Sequence, residues 1–436
     1  MKYSHSVTLN VDRCKGCTNC IRKCPTMAIR VQGGRAKIIE DRCIDCGECI
    51  RVCPYHAKKA VTDTFSIMDN YEYKVALIAP AFYGQFSKTT EPDRILTALL
   101  KLGFDDTFDV AIGAQAVTEK TKELIAEGKL QKPAISSACP AVMRLIAVRF
   151  PELLKNLVPL RSPMEISAQA AKKIAAEKTG LSPEKIGVFF ISPCAAKVTS
   201  VKASLTVDKS AVDGVFSMSE VCLKIADAVG KTDAKKQKSG AGREGIMWAT
   251  SGGEADATGT KKQIAVDEIH NVINVLEDIE NGKLKDIEFV EALSCPGGCV
   301  GGPLTVENSF VARSKIKQLC QDMSELGMDV LDKVDVKWDK TPKRSTAMRL
   351  DDNIFKAMEM SNRIDEILEG LPQLDCGSCG SPSCRDLAED IVRGYASEAD
   401  CIFKIRERLG ALAREMMEIE SHAPRSSAVE PFNEKE

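Results

Sequence analysis

Aromatic residues, histidines and net charge are all scarce in this chain. Aromatics make up 5% of the 436 residues, tryptophan occurs twice, and the four histidines are scattered. That leaves little from which to build a haem pocket or a histidine-rich metal site. A formal net charge of −2 gives no general attraction to nucleic acid or anionic lipid. No apolar run approaches the roughly 18 residues that a membrane-spanning helix needs. The opening MKYSHSVTLN has neither a basic stretch nor an apolar one of the kind that makes a secretory signal. The expectation is a cytoplasmic protein with no membrane span and no nucleic-acid partner. With 44% apolar and 28% charged residues the composition is otherwise ordinary, and the length calls for two to four domains.

What the chain has is cysteine, 18 in all. In a reducing compartment clustered thiols are metal ligands rather than disulfides. Cys14, Cys17, Cys20 and Cys24 recur 29 residues later as Cys43, Cys46, Cys49 and Cys53, and Pro25 and Pro54 follow the fourth cysteine of each set. The spacing C-x2-C-x2-C-x3-C-P, written twice, is that of a two-cluster ferredoxin, in which the fourth cysteine of each run serves the other cluster. One 4Fe–4S cluster is therefore assigned to Cys14, Cys17, Cys20 and Cys53, and a second to Cys43, Cys46, Cys49 and Cys24. A pair of zinc sites is the competing reading, although zinc pairs usually stand further apart in sequence. Repeats this short cannot bury a core, so metal must supply most of the order in a small α+β domain over 1–65.

From 73 to 335 the pattern becomes alternating strands and helices, which predicts an α/β domain with parallel-sheet lobes. Strands are expected at YKVALIAP (73–80), DTFDVAIG (106–113), PAISSAC (133–139), KIGVFFIS (185–192) and IEFVEALS (287–294). Helices are expected over 93–103, 114–127, 141–154, 163–178 with Ser162 as N-cap, and 219–229. The Lys-, Gly- and Ser-rich run 230–245 reads as a loop, and polar 335–343 as a linker.

Cys139, Cys194 and Cys295 each follow a predicted strand, at the edge where α/β sheets build their sites. Pro140, Pro193 and Pro296 flank them, and glycines 297, 298, 301 and 302 surround Cys299, allowing close backbone approach to something bulky. Four thiolates on three strand-end loops can hold one buried cubane. Buried structural cysteines are the alternative, a reading that suits Cys222 and Cys320, each on an apolar helix face.

A C-terminal α-helical unit is expected over 351–420, with helices at 354–368 and from about 401 to 420, ahead of a disordered tail (421–436). Between the helices Cys376, Cys379, Cys384 and Cys401 follow C-x2-C-x4-C-x16-C. The pattern resembles a small four-cysteine 4Fe–4S domain of redox subunits and corrinoid proteins, with zinc as the competing metal. On the last helix Ile402, Ile405, Leu409, Leu412, Met416 and Ile419 alternate three and four apart. That stripe reads first as a docking face against its own domain, and otherwise as a homodimer contact through 402–420.

Three stretches of the middle region carry a family resemblance: Ser136-Ser137-Ala138-Cys139-Pro140, Pro193-Cys194-Ala195-Ala196-Lys197, and Glu291-Ala292-Leu293-Ser294-Cys295-Pro296-Gly297-Gly298-Cys299-Val300-Gly301-Gly302. Joined by Ala79-Pro80-Ala81 and Thr250-Ser251-Gly252-Gly253-Glu254, and standing behind a ferredoxin module, they resemble the catalytic domain of FeFe hydrogenases. The resemblance implies that Cys139, Cys194, Cys295 and Cys299 bind the cubane of an H-cluster. It further implies that Cys299 bridges to a diiron centre with CO, CN and dithiolate ligands, and that Lys197 hydrogen-bonds a cyanide there. With three further 4Fe–4S clusters the chain would exchange electrons with H2.

Departures from the family pattern are specific. Ala138 stands where fast members have a proton-relaying cysteine, Ser200 where a glutamate is expected, and Ser192 and Leu293 where methionines are expected. The third signature ends early, at Gly302-Pro303, and Glu119 or Glu123 falls near an acidic relay position. Losing one relay group costs ~10²–10⁴-fold in rate. The combination resembles the sensory subgroup, in which H2 is bound or slowly oxidised and the C-terminal domain reports to an electron-transfer or signalling partner. The rivals are a fast bidirectional ferredoxin-linked hydrogenase, and a non-catalytic electron-transfer or cluster-carrier protein that lacks the diiron centre.

Overall fold

The computed structural model describes residues 5–87, 90–231 and 237–422. The chain forms two compact units, one of residues 1–29 and 34–348, the other of residues 30–33 and 349–436.

The chain opens with β1 (Val7–Leu9), α1 (Asn19–Arg22), β2 (Ile29–Gln32), β3 (Arg35–Ile38), α2 (Glu48–Arg51) and β4 (Lys58–Ala60). β1 and β4 pair antiparallel, with Val7 opposite Ala60. The internal repeat is written in the backbone as well as in the cysteines. Gly16, Thr18 and Met27 have positive φ, and 29 residues later so do Asp45, Gly47 and His56. Four of these six are not glycine, so the left-handed turns are imposed by the way the loop wraps rather than chosen by residue type.

Two parallel sheets follow. The larger has the order β6-β5-β8-β9, from β5 (Tyr73–Ile78), β6 (Asp106–Asp109), β8 (Ile186–Ser192) and β9 (Gly214–Ser217). The smaller has the order β10-β11-β7, from β7 (Ala134–Ile135), β10 (Gln263–Asp267) and β11 (Phe289–Leu293). Every residue of β8 and of β11 is buried. A near-continuous apolar run such as IGVFFIS is what a parallel strand covered on both faces requires. Phe189 and Phe216 stack at 5.6 Å between centroids, and Phe189→Ala is expected to cost ~3–5 kcal/mol of stability.

Helices α3 (Pro92–Leu99), α4 (Val110–Ala126), α5 (Pro140–Arg149), α6 (Pro163–Thr179), α7 (Ala195–Lys202), α8 (Met218–Lys231), α9 (Arg243–Met247), α10 (Gly253–Thr258), α11 (Ile269–Glu280) and α12 (Ser309–Leu319) complete the first unit. Ser162 caps α6 as expected, its Oγ accepting the Glu165 N–H, a contact of ~1 kcal/mol.

Several expectations are corrected. The run DTFDVAIG is strand only to Asp109, and Val110 opens α4. A short apolar run does not separate strand from helix. Here Asp109 accepts from Tyr83 Oη and from Ser239 Oγ (2.9 Å), and the chain turns at it. Helix 141–154 breaks at Phe150, because Pro151 starts a separate 3-10 turn. Only Ala134–Ile135 of PAISSAC is strand. Residues 335–343 are packed, not a free linker: Arg161 pairs with Asp335 (3.2 Å) and with Asp339, and Trp338 Nε1 donates to Leu160 O (2.5 Å). Of the expected loop 230–245, α8 takes Gly230 and Lys231, α9 takes Arg243–Gly245, and 232–236 lie outside the described residues.

The second unit holds α13 (Ile354–Gly370), α14 (Cys384–Val392) and α15 (Ile402–His422). Its core is Ile364, Ile367, Leu371, Cys384, Leu387, Ala388 and Cys401. Inside this unit Arg30 is clamped by Asp390 (2.5 Å) and Asp386 (3.5 Å). Ser421 and His422 extend α15 into the expected tail, whose remaining residues, 423–436, lie outside the described ones. The apolar stripe of α15 is not docked on its own unit: none of that helix is buried.

Candidate metal centres

Short loops and one-turn helices place the N-terminal thiols. Cys24, Cys43, Cys46 and Cys49 line one small cavity together with Val7, Ile29 and Ile44. Burial first, then the Asp45 charge at Cys43 and the Cys24 and Cys49 charges at Cys46, drives these two thiols well above their ordinary range, and burial pushes Cys49 up to about 12. Thiols raised in this way give up a proton readily only when a cation replaces it. Cys14 and Cys17 act in the same manner on Cys20. The repeat recurs in the hydrogen bonds, since Ala28 N donates to Cys24 Sγ (3.2 Å) and Ala57 N to Cys53 Sγ (3.3 Å). Burial raises the Cys53 thiol, but N–H groups of Lys58, Ala57 and Tyr55 and the Lys58 charge outweigh it, so the net direction is down.

Lys58 tests whether an anionic group fits here. Its side chain is 3% exposed, and its Nζ has no hydrogen-bond partner among the described residues. Its charge acts on Cys20, Cys49 and Cys53. A buried ammonium without a counter-charge is costly, and thiolate-bound clusters on its flanks supply one. The corresponding residue of the first repeat is the buried, apolar Ile29. Asp45 likewise replaces Gly16, and its oxygens accept from Ser6 N, Val7 N and Thr199 Oγ1. His5 sits against Cys43 and Asp45, with ligand atoms within 4.8 Å of one another. Comparing the repeats position by position singles out Lys58 and Asp45, whereas nothing in the sequence singles out His5.

The middle thiols come from three strand ends. Cys139 and Cys194 are the N-cap residues of α5 and α7, Cys295 follows β11, and Cys299 opens a 3-10 turn. Helix N-termini favour negative charge at the first two. Burial raises the Cys194, Cys295 and Cys299 thiols, and these three and Cys139 act on one another. Lys197 Nζ lies 3.8 Å from Cys299 Sγ. Burial works against the Lys197 charge, but Cys299, Cys194, Cys139 and Cys295 outweigh it, so the ammonium is held above its ordinary range. Ser294 Oγ, next to Cys295, is buried with no hydrogen-bond partner among the described residues.

Arg51, missed in the sequence, ties the two thiol sets together. Burial opposes its charge, yet Cys295 and Glu48, with Cys46 adding to them, hold it protonated, and one of its nitrogens donates to Glu48 (2.5 Å). A second nitrogen donates to Gly301 O (2.7 Å).

Two glycines of the third signature also let the chain pack on itself. A Cβ on Gly298 would strike Ser251 N at 2.6 Å, and one on Gly302 would strike Pro193 O at 2.2 Å. Backbone packs on backbone there.

Beside Cys299 lies a cavity of about 50 Å³. Ala138, Lys197, Leu293 and Cys299 line it, so four residues chosen from the signatures share one cavity. Two further carboxyl groups line it, Glu254 and Glu291, each picked out only as part of a landmark. Ser136 Oγ donates to Glu254 Oε2 (2.6 Å), while Gly252 N (3.1 Å) and Ala255 N (2.8 Å) donate to Glu291. Burial and the charge of Glu291 drive Glu254 well above the carboxylate range, and burial pushes Glu291 up to about 7. Glu119 and Glu123 do not line the cavity: Glu119 accepts from Gln115 and Glu123 pairs with Lys120. Ser192 bonds the Cys194 backbone instead. Cys222 and Cys320 are packed in the main core, away from these sets.

In the second unit Cys384 opens α14, and Cys401 directly precedes α15. Both pack in one core, against Cys379, whose thiol is raised by burial and then by Cys376. Asp375 Oδ1 accepts from Cys384 N at 2.6 Å, fixing the loop.

The chain is similar to known iron–sulfur proteins. The family model of the iron only hydrogenase large subunit, C-terminal domain, matches 72–259 and 226–303, together 232 of 436 residues. A 4Fe-4S dicluster model matches 6–54 and an Fe-S cluster model 371–403. The periplasmic Fe hydrogenase large subunit of Nitratidesulfovibrio vulgaris is 27% identical, over 68% of this chain and 86% of its own. Iron hydrogenase 1 of Clostridium pasteurianum is 27% identical over 48% of this chain and 44% of its own length. The nuclear prelamin A recognition factor of Mus musculus is 25% identical over 55% and 64%. An FeFe-hydrogenase structure from Chlamydomonas reinhardtii aligns with a TM-score of 0.48 at 16% identity, over 62% of this chain and 90% of that one. Among the described residues no helix is long and apolar enough to cross a membrane. Matches to a 4Fe-4S dicluster model on one side and to an Fe-S cluster model on the other flank a domain whose family model covers more than half of the sequence, and the chain belongs to the iron-only, or FeFe, hydrogenase family.

Proposed function

We propose that the chain is a low-turnover FeFe hydrogenase that binds or slowly oxidises H2 and passes electrons along 4Fe–4S clusters, in the service of H2 or redox sensing. In this reading Cys14, Cys17, Cys20 and Cys53 hold one cluster and Cys43, Cys46, Cys49 and Cys24 a second. Cys376, Cys379, Cys384 and Cys401 hold a third, at the outlet to a partner. Cys139, Cys194, Cys295 and Cys299 hold the cubane of the H-cluster, with Cys299 shared with its diiron centre. When bound, that centre supplies the open iron at which H2 is split.

The single observation that carries the reading is the cavity wall, where a cation and a thiol, Lys197 and Cys299, face the same space as Ala138, which has no exchangeable proton. Lys197 offers its N–H groups to anionic ligands of the centre. Glu291, with its carboxyl near neutrality, takes a proton from the cavity at physiological pH. Glu254, held protonated, shares that charge and is hydrogen-bonded to Ser136. The carboxyl pair is thus a substitute proton path, slower because no group at 138 reaches the reacting atoms. Arg51, set against both Cys46 and Cys295, lies on the electron path from this site to the second N-terminal cluster.

A fast bidirectional enzyme would need the missing donor at 138. A cluster carrier without the diiron centre would use the four cysteines but leave the cavity and its carboxyl pair idle. H2 oxidation by anaerobically matured protein tests the choice. The expected result is a low rate that rises ~10²-fold or more in Ala138→Cys. A fast parent enzyme, or no rate in either protein, would contradict it.

A further inference from the structure

The last helix begins one residue after Cys401 and runs for 21 residues, three heptads, with none of them buried. A lone helix of this length is marginal in water, and most helices owe their stability to packing of an apolar face. The face exists on α15. Ile402, Ile405, Leu409, Leu412, Met416 and Ile419 fall at successive a and d positions, and Leu409, Met416 and Ile419 are 61%, 68% and 66% exposed.

We propose that α15 pairs with α15 of a second copy of this chain, in antiparallel orientation, as a two-stranded coiled coil. The flanking charges choose both occupant and direction. With a and d set as above, Arg408 and Glu415 occupy g positions, and Arg406, Ala413 and Glu420 occupy e positions. In a parallel pair each Glu415 faces Glu420 of the other helix, and Arg408 faces Ala413, so repulsion is all that the flanks supply. In an antiparallel pair Leu409 packs opposite Leu412, Ile405 opposite Met416 and Ile402 opposite Ile419. Arg408 then faces Glu415 twice, once on each side of the two-fold axis. Opposite charges at these flanks set partner choice and orientation. Self-pairing needs no other molecule to supply the complementary residues, because each copy brings both members of the ion pair. A C2 contact of this kind is isologous and closes on itself.

Sedimentation equilibrium of the full chain under anaerobic conditions tests the pairing, with iron content as the check on folding. The expected result is a reversible dimer in the micromolar range that Leu409→Asp converts to monomer with iron content unchanged. Arg408→Glu and Glu415→Arg should each raise the dissociation constant roughly tenfold. The double variant Arg408→Glu/Glu415→Arg should restore it. A parent chain that stays monomeric at about 100 μM would overturn the proposal, as would a dimer unaffected by Leu409→Asp. Tightening by Glu415→Arg would overturn the antiparallel arrangement, because in a parallel pair that change turns a repulsion into an ion pair.

Discussion

The thiols beside Cys46 and those around Cys299 are both four-cysteine sets, but their surroundings differ. Around Cys24, Cys43, Cys46 and Cys49 a cavity of about 20 Å³ is lined by the thiols, by apolar side chains, by Thr26 and by two carboxyl groups already held by donors, Asp45 by Ser6, Val7 and Thr199 and Glu48 by Arg51, with Lys58 nearby as a buried cation. That space is less than half the size of the one beside Cys299, and on the proposed reading it serves the storage and passage of charge. Around Cys299 there is a larger space of about 50 Å³, lined by the Cys299 thiol, Lys197, Glu254 and Glu291, whose two carboxyl groups lie side by side in charge contact. There is a void, a cation and two protonatable groups together, which is what chemistry on a small molecule needs. On the proposed reading one surround moves electrons only, while the other moves electrons and protons.

That contrast can be broken most completely at Cys299. Cys299→Ser should abolish H2 turnover while leaving the electron paramagnetic resonance signals of the N-terminal clusters in place. Loss of those signals too would mean that the two sets do not fold separately around their iron. Next in size is Ala138→Cys, which gives the cavity the donor it lacks and is expected to raise turnover ~10²-fold.

Glu291→Gln should lower turnover by about tenfold and flatten its pH profile. In the parent the carboxylate form accepts the proton, so H2 oxidation should climb as pH rises through about 7, and that step should vanish in the variant. A preserved step would assign the proton path to other groups.

Lys58→Met is the smallest and acts only on the electron side. Removing a cation beside Cys20, Cys49 and Cys53 disfavours the reduced, more negative clusters. Potentiometric titration should show a fall of about 60 mV, one decade in the reduction equilibrium, with the infrared and pH behaviour of the Cys299 site unchanged.

The two regions also differ in how far they could be read before folding. The eight N-terminal cysteines are legible from spacing alone, because their ligand loops are short and local. The middle four were legible only through strand ends, since 160 residues separate Cys139 from Cys299. Glu254 and Glu291 could be seen as landmarks but not as a pair, because one opens α10 and the other lies inside the buried strand β11. Arg51 carries no signature at all. Its role arises from the approach of α2 to the loop after β11, where Gly47 also packs on Pro303. Short strands such as Gly214–Ser217 and Gln263–Asp267 escaped notice, as four or five residues give too little period to recognise. The packed segment 335–343 was misjudged for a related reason, because its charges looked solvated and are in fact partnered by Arg161.

Infrared spectroscopy of the anaerobically matured protein addresses the Cys299 cavity directly, because iron-bound CO and CN absorb where protein does not. A diiron centre against Lys197 and Cys299 requires those bands, and it requires them to disappear in Cys299→Ser. Full occupancy of every four-cysteine set with iron, and no such bands, would show that the cavity holds no organometallic group and that the chain carries electrons without acting on H2.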